Sequence, residues 1–341
     1  MPRSTIQVKG TLLLNDSRPA IARAASIIRG GGLVACPTET VYGLGASAVD
    51  AKAINKIFAA KGRPADNPLI VHIAHISQLK EVASQIPEKA FLLAEKFWPG
   101  ALSLVLQRSE LIPPEVSAGL QTVAVRMPDH RAALDLIALS GVPVAAPSAN
   151  RSGRPSPTSY SHVLADLAGR IDAVIKSDDC LIGVESTVLD ITGQVPIILR
   201  PGGVTREALE QALCCKVLVS KPGDKSGTPV SPGMKYRHYS PEAALILLTG
   251  SEERRRKLSD IMISYYRRKG LSVGVLNTFN RGCPGSSFKA DQLAYRLYRD
   301  LRLMDAAKVD LIIAEETVVS GLGLAVMNRL RKASDRIIRI F

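Results

Sequence analysis

Short apolar runs recur along this 341-residue chain, each closed by proline, glycine or a polar cluster and separated from the next by helix-patterned segments. That alternation constrains the fold more than any other feature. Arg18–Arg29 carries helical spacing and ends in Gly30-Gly31-Gly32, a stop signal. Leu33–Cys36 follows as a short buried-type strand and runs into Pro37. Leu69–Ile73, Ser103–Leu106, Val123–Met127, Val142–Ala146, Ala173–Lys176 and Val188–Ile191 are further strand candidates. Helical patterns cover Ala51–Ala60, Pro87–Phe97, Arg131–Leu139 and Ser159–Ala168. Such an order predicts an α/β protein in which helices cover a sheet.

The pattern breaks once. Residues 221–242, KPGDKSGTPVSPGMKYRHYSPE, are rich in Pro, Gly and Ser and have no apolar period. They read as a linker, or as a linker that also touches a ligand, because Lys235, Tyr236, Arg237, His238 and Tyr239 are unusual in a plain spacer. Beyond it, Ala244–Leu248, Ser272–Leu276 and Leu311–Ala314 look like buried strands, with helices over 252–268, 290–304 and 321–333. That order predicts a small doubly wound, Rossmann-like sheet. Two domains result, 12–220 and 243–341, in keeping with roughly 150 residues per domain.

Composition excludes several classes. With 46% apolar and 22% charged residues the chain is ordinary globular material. It has no apolar run of about 18 residues, so no membrane span is expected. Met1 to Asp16 lacks the apolar core of a signal peptide. Five cysteines with no C-x-x-C spacing disfavour a disulfide framework or a zinc site, and a cytoplasmic location is expected. The net charge of +13 is uneven: residues 221–341 hold 22 basic and 12 acidic residues, a balance of +10. Such a surface suits a polyanion such as nucleic acid, and equally suits simple solvation.

No P-loop, G-x-G-x-x-G, H-E-x-x-H or G-x-S-x-G motif occurs. Polar clusters at strand ends stand in their place. Pro37-Thr38-Glu39-Thr40-Val41-Tyr42-Gly43-Leu44-Gly45 packs hydroxyls, a carboxylate and glycines into one turn. Lys61-Gly62-Arg63-Pro64 sets two cations one residue apart, which suits a phosphate clamp or a helix C-terminus. Ala145 to Gly153 and Gly183 to Thr187 add small and hydrogen-bonding groups, and Arg200-Pro201-Gly202-Gly203 ends a strand. Four such loops without a nucleophile–base pair suggest charge-stabilised phosphoryl or nucleotidyl chemistry.

Lys61-Gly62-Arg63 with Ser148-Ala149-Asn150 resembles the K-x-R…S-x-N signature of the YrdC-like family. PTETVYGLG, WPGALSLVL, VAVRMPDH, APSANRSG, GVESTVLD and ILRPG are similar to that family over residues 15 to about 215, and the linker with the following α/β domain resembles its longer form. The resemblance implies a twisted sheet around a large basic cavity. It also implies synthesis of L-threonylcarbamoyl-AMP and pyrophosphate from L-threonine, bicarbonate or CO₂, and ATP, the first step of threonylcarbamoyl-adenosine formation on tRNA. Mg²⁺ is expected with ATP, held mainly by phosphates and water, and no protein metal ligand is implied.

The resemblance implies residue roles as well. Thr40, His72, Arg126, Ala146 and Ser186 correspond to threonine contacts. Arg63, Asn67, Thr122, Ser148, Asn150, Ser156, Arg200 and Tyr236 correspond to ATP contacts, and Lys61 joins Arg63 in catalysis near phosphate or carbamate. WPGALSLVL departs from the family by having alanine after the glycine, where proline is commoner, and serine in place of threonine. An RNA-binding module of the same fold is the competing reading, disfavoured by 4% aromatics and by the complete loop set. A related carbamoyltransferase domain is a third, but zinc-type cysteine pairs are absent. No role follows for 243–341, where Glu315-Glu316 followed by Ser320-Gly321-Leu322-Gly323 is only a weak hint of a site.

Overall fold

A computed structural model describes residues 6–220, 238–276 and 290–340. Tyr236, with the rest of residues 221–237, lies outside the described residues. Contacts divide the chain into two units, Met1–Ser152 with Ser156–Lys235, and Gly153–Pro155 with Tyr236–Phe341.

The first unit is a mixed sheet with helices against it. Its strand order begins Ile6–Val8, Thr11–Asn15, Ala173–Lys176, Val34–Cys36, Gly43–Ser47, Val144–Ala145 and Ile70–His72. It continues through Thr122–Arg126, Leu102–Arg108, Thr187–Asp190, Ile197–Arg200 and Leu218–Val219, with Ala83–Ser84 pairing on Leu102–Arg108. Ala173–Lys176 lies parallel between Thr11–Asn15 and Val34–Cys36. Ile70–His72 pairs in parallel with Thr122–Arg126, which sets His72 opposite Arg126. The helix Arg18–Arg29 buries Ile21, Ala24, Ala25 and Ile28, one stripe at helical spacing, and ends at Gly30 as the sequence predicts.

Two differences from the sequence reading have physical causes. Gly43–Ser47, expected as part of a turn, is a strand between Val34–Cys36 and Val144–Ala145. Its glycines hide it from any period, yet they permit the approach: a Cβ on Gly45 would lie 2.8 Å from Val144 Cγ1. The expected strand Val142–Ala146 shrinks to Val144–Ala145, the two residues paired with both Gly43–Ser47 and Ile70–His72.

The second unit has four parallel strands in the order Val273–Leu276, Leu311–Glu315, Ala244–Gly250 and Arg336–Ile340. Ile246, Leu248, Leu311 and Ile313 pack with Ile263, Leu258 and Met262 of the helix Glu252–Arg268. Leu245 and Leu247 alternate to the opposite face and are fully buried. The edge strand Arg336–Ile340 escapes sequence reading because two of its five residues are arginines. Such charges are also what keeps an edge from pairing with another chain. Among the described residues no helix is long and apolar enough to cross a membrane.

Candidate active site

The site grows from strand ends and from one helix end. Asp50 caps the helix Ala51–Lys61 by accepting from the Lys52 and Ala53 N–H groups. Gly62, at φ 62°, stops it in the left-handed region. That stop fixes where Lys61 and Arg63 stand. Lys61 is buried, and its Nζ donates to the carbonyls of Ser148 and Asn150, both at 2.5 Å. The two halves of the K-x-R…S-x-N signature therefore meet in space, 87 and 89 residues apart in sequence. The Ser148–Asn150 loop is also tied to the first polar cluster, since the Leu44 N–H donates to Pro147 O and the Ala149 N–H to Tyr42 O, both at 2.8 Å.

Arg63 Nη2 donates to Asn67 O at 3.1 Å and to Pro68 O at 3.0 Å, closing the loop that follows. Asn67 is fully buried, yet neither its side-chain oxygen nor its nitrogen has a hydrogen-bond partner. Burying an unpaired amide costs about 1–3 kcal/mol.

Around Thr40 the polar groups bond one another. Thr38 and Thr40 share a hydrogen bond between hydroxyls at 2.8 Å, and Thr38 Oγ1 donates to Val41 O. The Gly183 N–H donates to Thr40 O and the Ile182 N–H to Glu39 O, joining the 183–187 cluster to the first. Arg126 is buried; its Nε donates to Gly100 O at 3.0 Å and its Nη2 lies 2.6 Å from Glu39 Oε1. Burial, helped by the charge of Arg126, pushes the pKa of His72 down to about 3, so its imidazole is neutral at neutral pH. Burial pushes the Cys36 thiol up to about 12, opposed only by Arg126, and raises that of Cys180 as well. The Ala146 N–H is taken by Ile70 O, which leaves the Ala146 carbonyl as the backbone group with capacity for a ligand.

A second knot lies on neighbouring strands. Ser186 shares a hydrogen bond with Ser103 at 2.8 Å, and Arg200 Nη2 reaches both Ser186 O and Oγ. Ser156 Oγ donates to Glu185 Oε1 at 2.5 Å. Thr122 begins the strand that Arg126 ends, so about 13 Å of extended backbone separates them. The sequence reading missed Glu39, Ser103 and Glu185 as site residues. All three sat inside quoted motifs: a carboxylate among hydroxyls was the available signal for Glu39 and Glu185, and the serine that departs from the family in WPGALSLVL was the signal for Ser103. Among the described residues no group of three His, Cys, Asp or Glu side chains is disposed to hold a metal ion. The two nearby carboxylates, Glu39 and Glu185, are engaged by Arg126 and Ser156.

Comparison with known proteins decides the family. The Sua5/YciO/YrdC family, described as telomere recombination, matches residues 26–202, and the threonylcarbamoyl-AMP synthase C-terminal domain matches 204–335. The chain belongs to the Sua5/YrdC family. Threonylcarbamoyl-AMP synthase from Pyrococcus abyssi is 49% identical, over 93% of this chain and 95% of the relative. The synthase of Bacillus subtilis is also 49% identical, over 98% of both chains. The crystal structure of P. abyssi Sua5 complexed with L-threonine superposes with a TM-score of 0.92 at 47% identity, covering 97% of this chain and all of that one. The twisted mixed sheet and the parallel C-terminal sheet are thus those of two-domain Sua5 proteins, as the sequence predicts.

Proposed function

We propose that this Sua5/YrdC chain joins L-threonine, bicarbonate or CO₂, and ATP into L-threonylcarbamoyl-AMP and pyrophosphate, the first step of threonylcarbamoyl-adenosine formation on tRNA. The observation that carries the reading is the assembled signature: Lys61 bound to the Ser148 and Asn150 carbonyls, in a chain 49% identical over nearly its whole length to threonylcarbamoyl-AMP synthases.

In this reading the threonine amine captures CO₂ as a carbamate, and a carbamate oxygen attacks the α-phosphorus as pyrophosphate leaves. No protein nucleophile is required; the work is holding anions together and offsetting their charge. Thr40, His72, Arg126, the Ala146 carbonyl and Ser186 hold threonine. A neutral His72 offers one ring donor and one acceptor, suited to a hydroxyl. Arg63, Asn67, Thr122, Ser148, Asn150, Ser156 and Arg200 take ATP, with Tyr236 assigned by resemblance alone. Lys61 serves twice: its charge lies beside the phosphate region, and its N–H groups set the carbonyls that shape the 148–150 loop. Mg²⁺ belongs to the ATP substrate here. In this reading it is held mainly by phosphates and water. A cytoplasmic location, and tRNA or the downstream transfer machinery as partners of the basic 221–341 region, are part of the same proposal.

The test is pyrophosphate release from ATP with a mass-spectrometric product assay. Release requiring both threonine and bicarbonate, with formation of threonylcarbamoyl-AMP, is expected. Release that ignores either co-substrate rejects the reading and leaves the RNA-binding alternative.

A further inference from the structure

Glu39 is outside the set of residues that the family resemblance points to, yet it sits at the centre of the threonine half of the site. Its side chain is 6% exposed and Oε1 lies 2.6 Å from Arg126 Nη2. Oε2 accepts from the Asp129 N–H at 3.2 Å, and the Glu39 carbonyl accepts from the Ile182 N–H at 2.8 Å. The carboxylate is therefore held at both oxygens, and the backbone of the same residue is fixed by Ile182.

The contact with Arg126 has an instructive geometry. Although 2.6 Å apart, neither Glu39 Oε1 nor Arg126 Nη2 makes an aligned hydrogen bond. The groups meet as charges, with the N–H bonds off the line between them. Arg126 is anchored through Nε to Gly100 O. Glu39 thus cancels the guanidinium charge without consuming the donors that a planar acceptor would use. The neighbours do not disturb this balance: burial keeps His72 as neutral imidazole and Cys36 as neutral thiol.

A fixed positive and a fixed negative group side by side match an α-amino acid, which carries both charges on one carbon. An uncompensated buried guanidinium would instead draw any anion that reached it. The proposed reaction supplies three competing kinds, the threonine carboxylate, bicarbonate and the triphosphate. We propose that Glu39 is a specificity-determining residue, which reserves Arg126 for the carboxylate of a zwitterionic α-amino acid and excludes simple anions. The proposal rests on the assignment of Thr40, His72 and Arg126 to threonine.

The experiment is calorimetric titration of the full chain with threonine, without ATP, in the presence and absence of excess acetate. Wild-type affinity is expected to stay unchanged by acetate. Glu39→Gln, which preserves shape and removes the charge, is expected to bind threonine in acetate-free buffer and to lose about tenfold in apparent affinity, competitively, when acetate is added. A structural role for Glu39 would lower thermal stability without creating this competition. Equal acetate sensitivity in the two proteins overturns the proposal. A second measurement needs no variant: 2,3-dihydroxybutyrate, threonine with its amine replaced by hydroxyl, should fail to displace threonine from wild type. Displacement at threonine-like concentrations overturns the proposal. If wild type binds no threonine at all, the assignment of the pocket fails instead.

Discussion

The two units bury polar groups to different extents. In the first, strand ends carry Thr38, Glu39, Thr40, Lys61, Asn67, His72, Arg126, Ser156, Glu185, Ser186 and Arg200, all buried. In the second, the central strands bury Leu245, Leu247, Leu248, Ile312 and Ile313, and the helix Glu252–Arg268 shows solvent the pairs Arg256–Glu252 and Lys257–Glu253. Polar burial costs free energy unless partners are complete. The first unit meets that cost along a run of strand and helix ends, whereas the second meets it at fewer places, among them Arg255, Ser259, Glu315 and Arg329. The contrast separates stability from activity by location and can be broken by measurement.

Leu247→Ala in the second unit should have the largest effect on folding. A fully buried leucine loses about 2–5 kcal/mol on truncation to alanine, read as a lowered denaturation midpoint. Activity per folded molecule should be unchanged; an altered threonine or ATP KM would show that the second sheet does more than cohere.

Arg63→Ala should act in the opposite sense. Losing a charge-assisted fork to phosphate, about 1.5–3 kcal/mol, lowers turnover about 10- to 150-fold with a smaller change in melting temperature. Wild-type turnover in the variant would remove Arg63 from the reaction.

How far the contrast was legible in the sequence varies by element. The Lys61-Gly62-Arg63 and Ser148-Ala149-Asn150 motifs were readable because their residue types are rare in combination, and they meet in the fold. The helices Arg18–Arg29 and 252–268 were readable because burial imposes a period. Gly43–Ser47 was not, since a strand of small residues has no period to detect, and Arg336–Ile340 was masked by its charges. The pairing of Glu39 with Arg126 was invisible for another reason. Its partner Arg126 is 87 positions away, and only folding reveals the pair.

The acid limb of stability should report on the first unit through His72. Its pKa is about 3 when folded and near 6.5 when unfolded, so below about pH 6.5 the unfolded chain binds a proton that the native chain refuses. Stability then falls as pH drops toward 3, by about 1.4 kcal/mol per pH unit from this group. Denaturant melts of wild type and His72→Gln across pH 4 to 7 should diverge, with the variant flatter; parallel curves would contradict the buried neutral imidazole.

A smaller effect sharpens the point. Asn67→Leu removes an amide that has no partner, so stability should hold or rise by up to about 1 kcal/mol while the KM for ATP rises. A clear loss of stability would mean the amide is structurally bonded. Smallest of all, Glu253→Ala breaks an exposed pair on the second unit and should leave both melting temperature and turnover where they were.

The strand Ala173–Lys176 lies between Thr11–Asn15 and Val34–Cys36, and Thr11 Oγ1 donates to Ile171 O across 160 residues of sequence. During synthesis the early strands therefore emerge from the ribosome long before the segment that joins them. Until residue 176 is delivered, Val34–Cys36 can pair only with Gly43–Ser47 and Thr11–Asn15 only with Ile6–Val8, and the apolar faces of Leu14 and Val34 lack Ala173 and Ile175, their partners in one core. A nascent chain of this topology leans on local helices such as Arg18–Arg29 to shelter those faces, and its sheet sets late, after the loops of the signature have already been made.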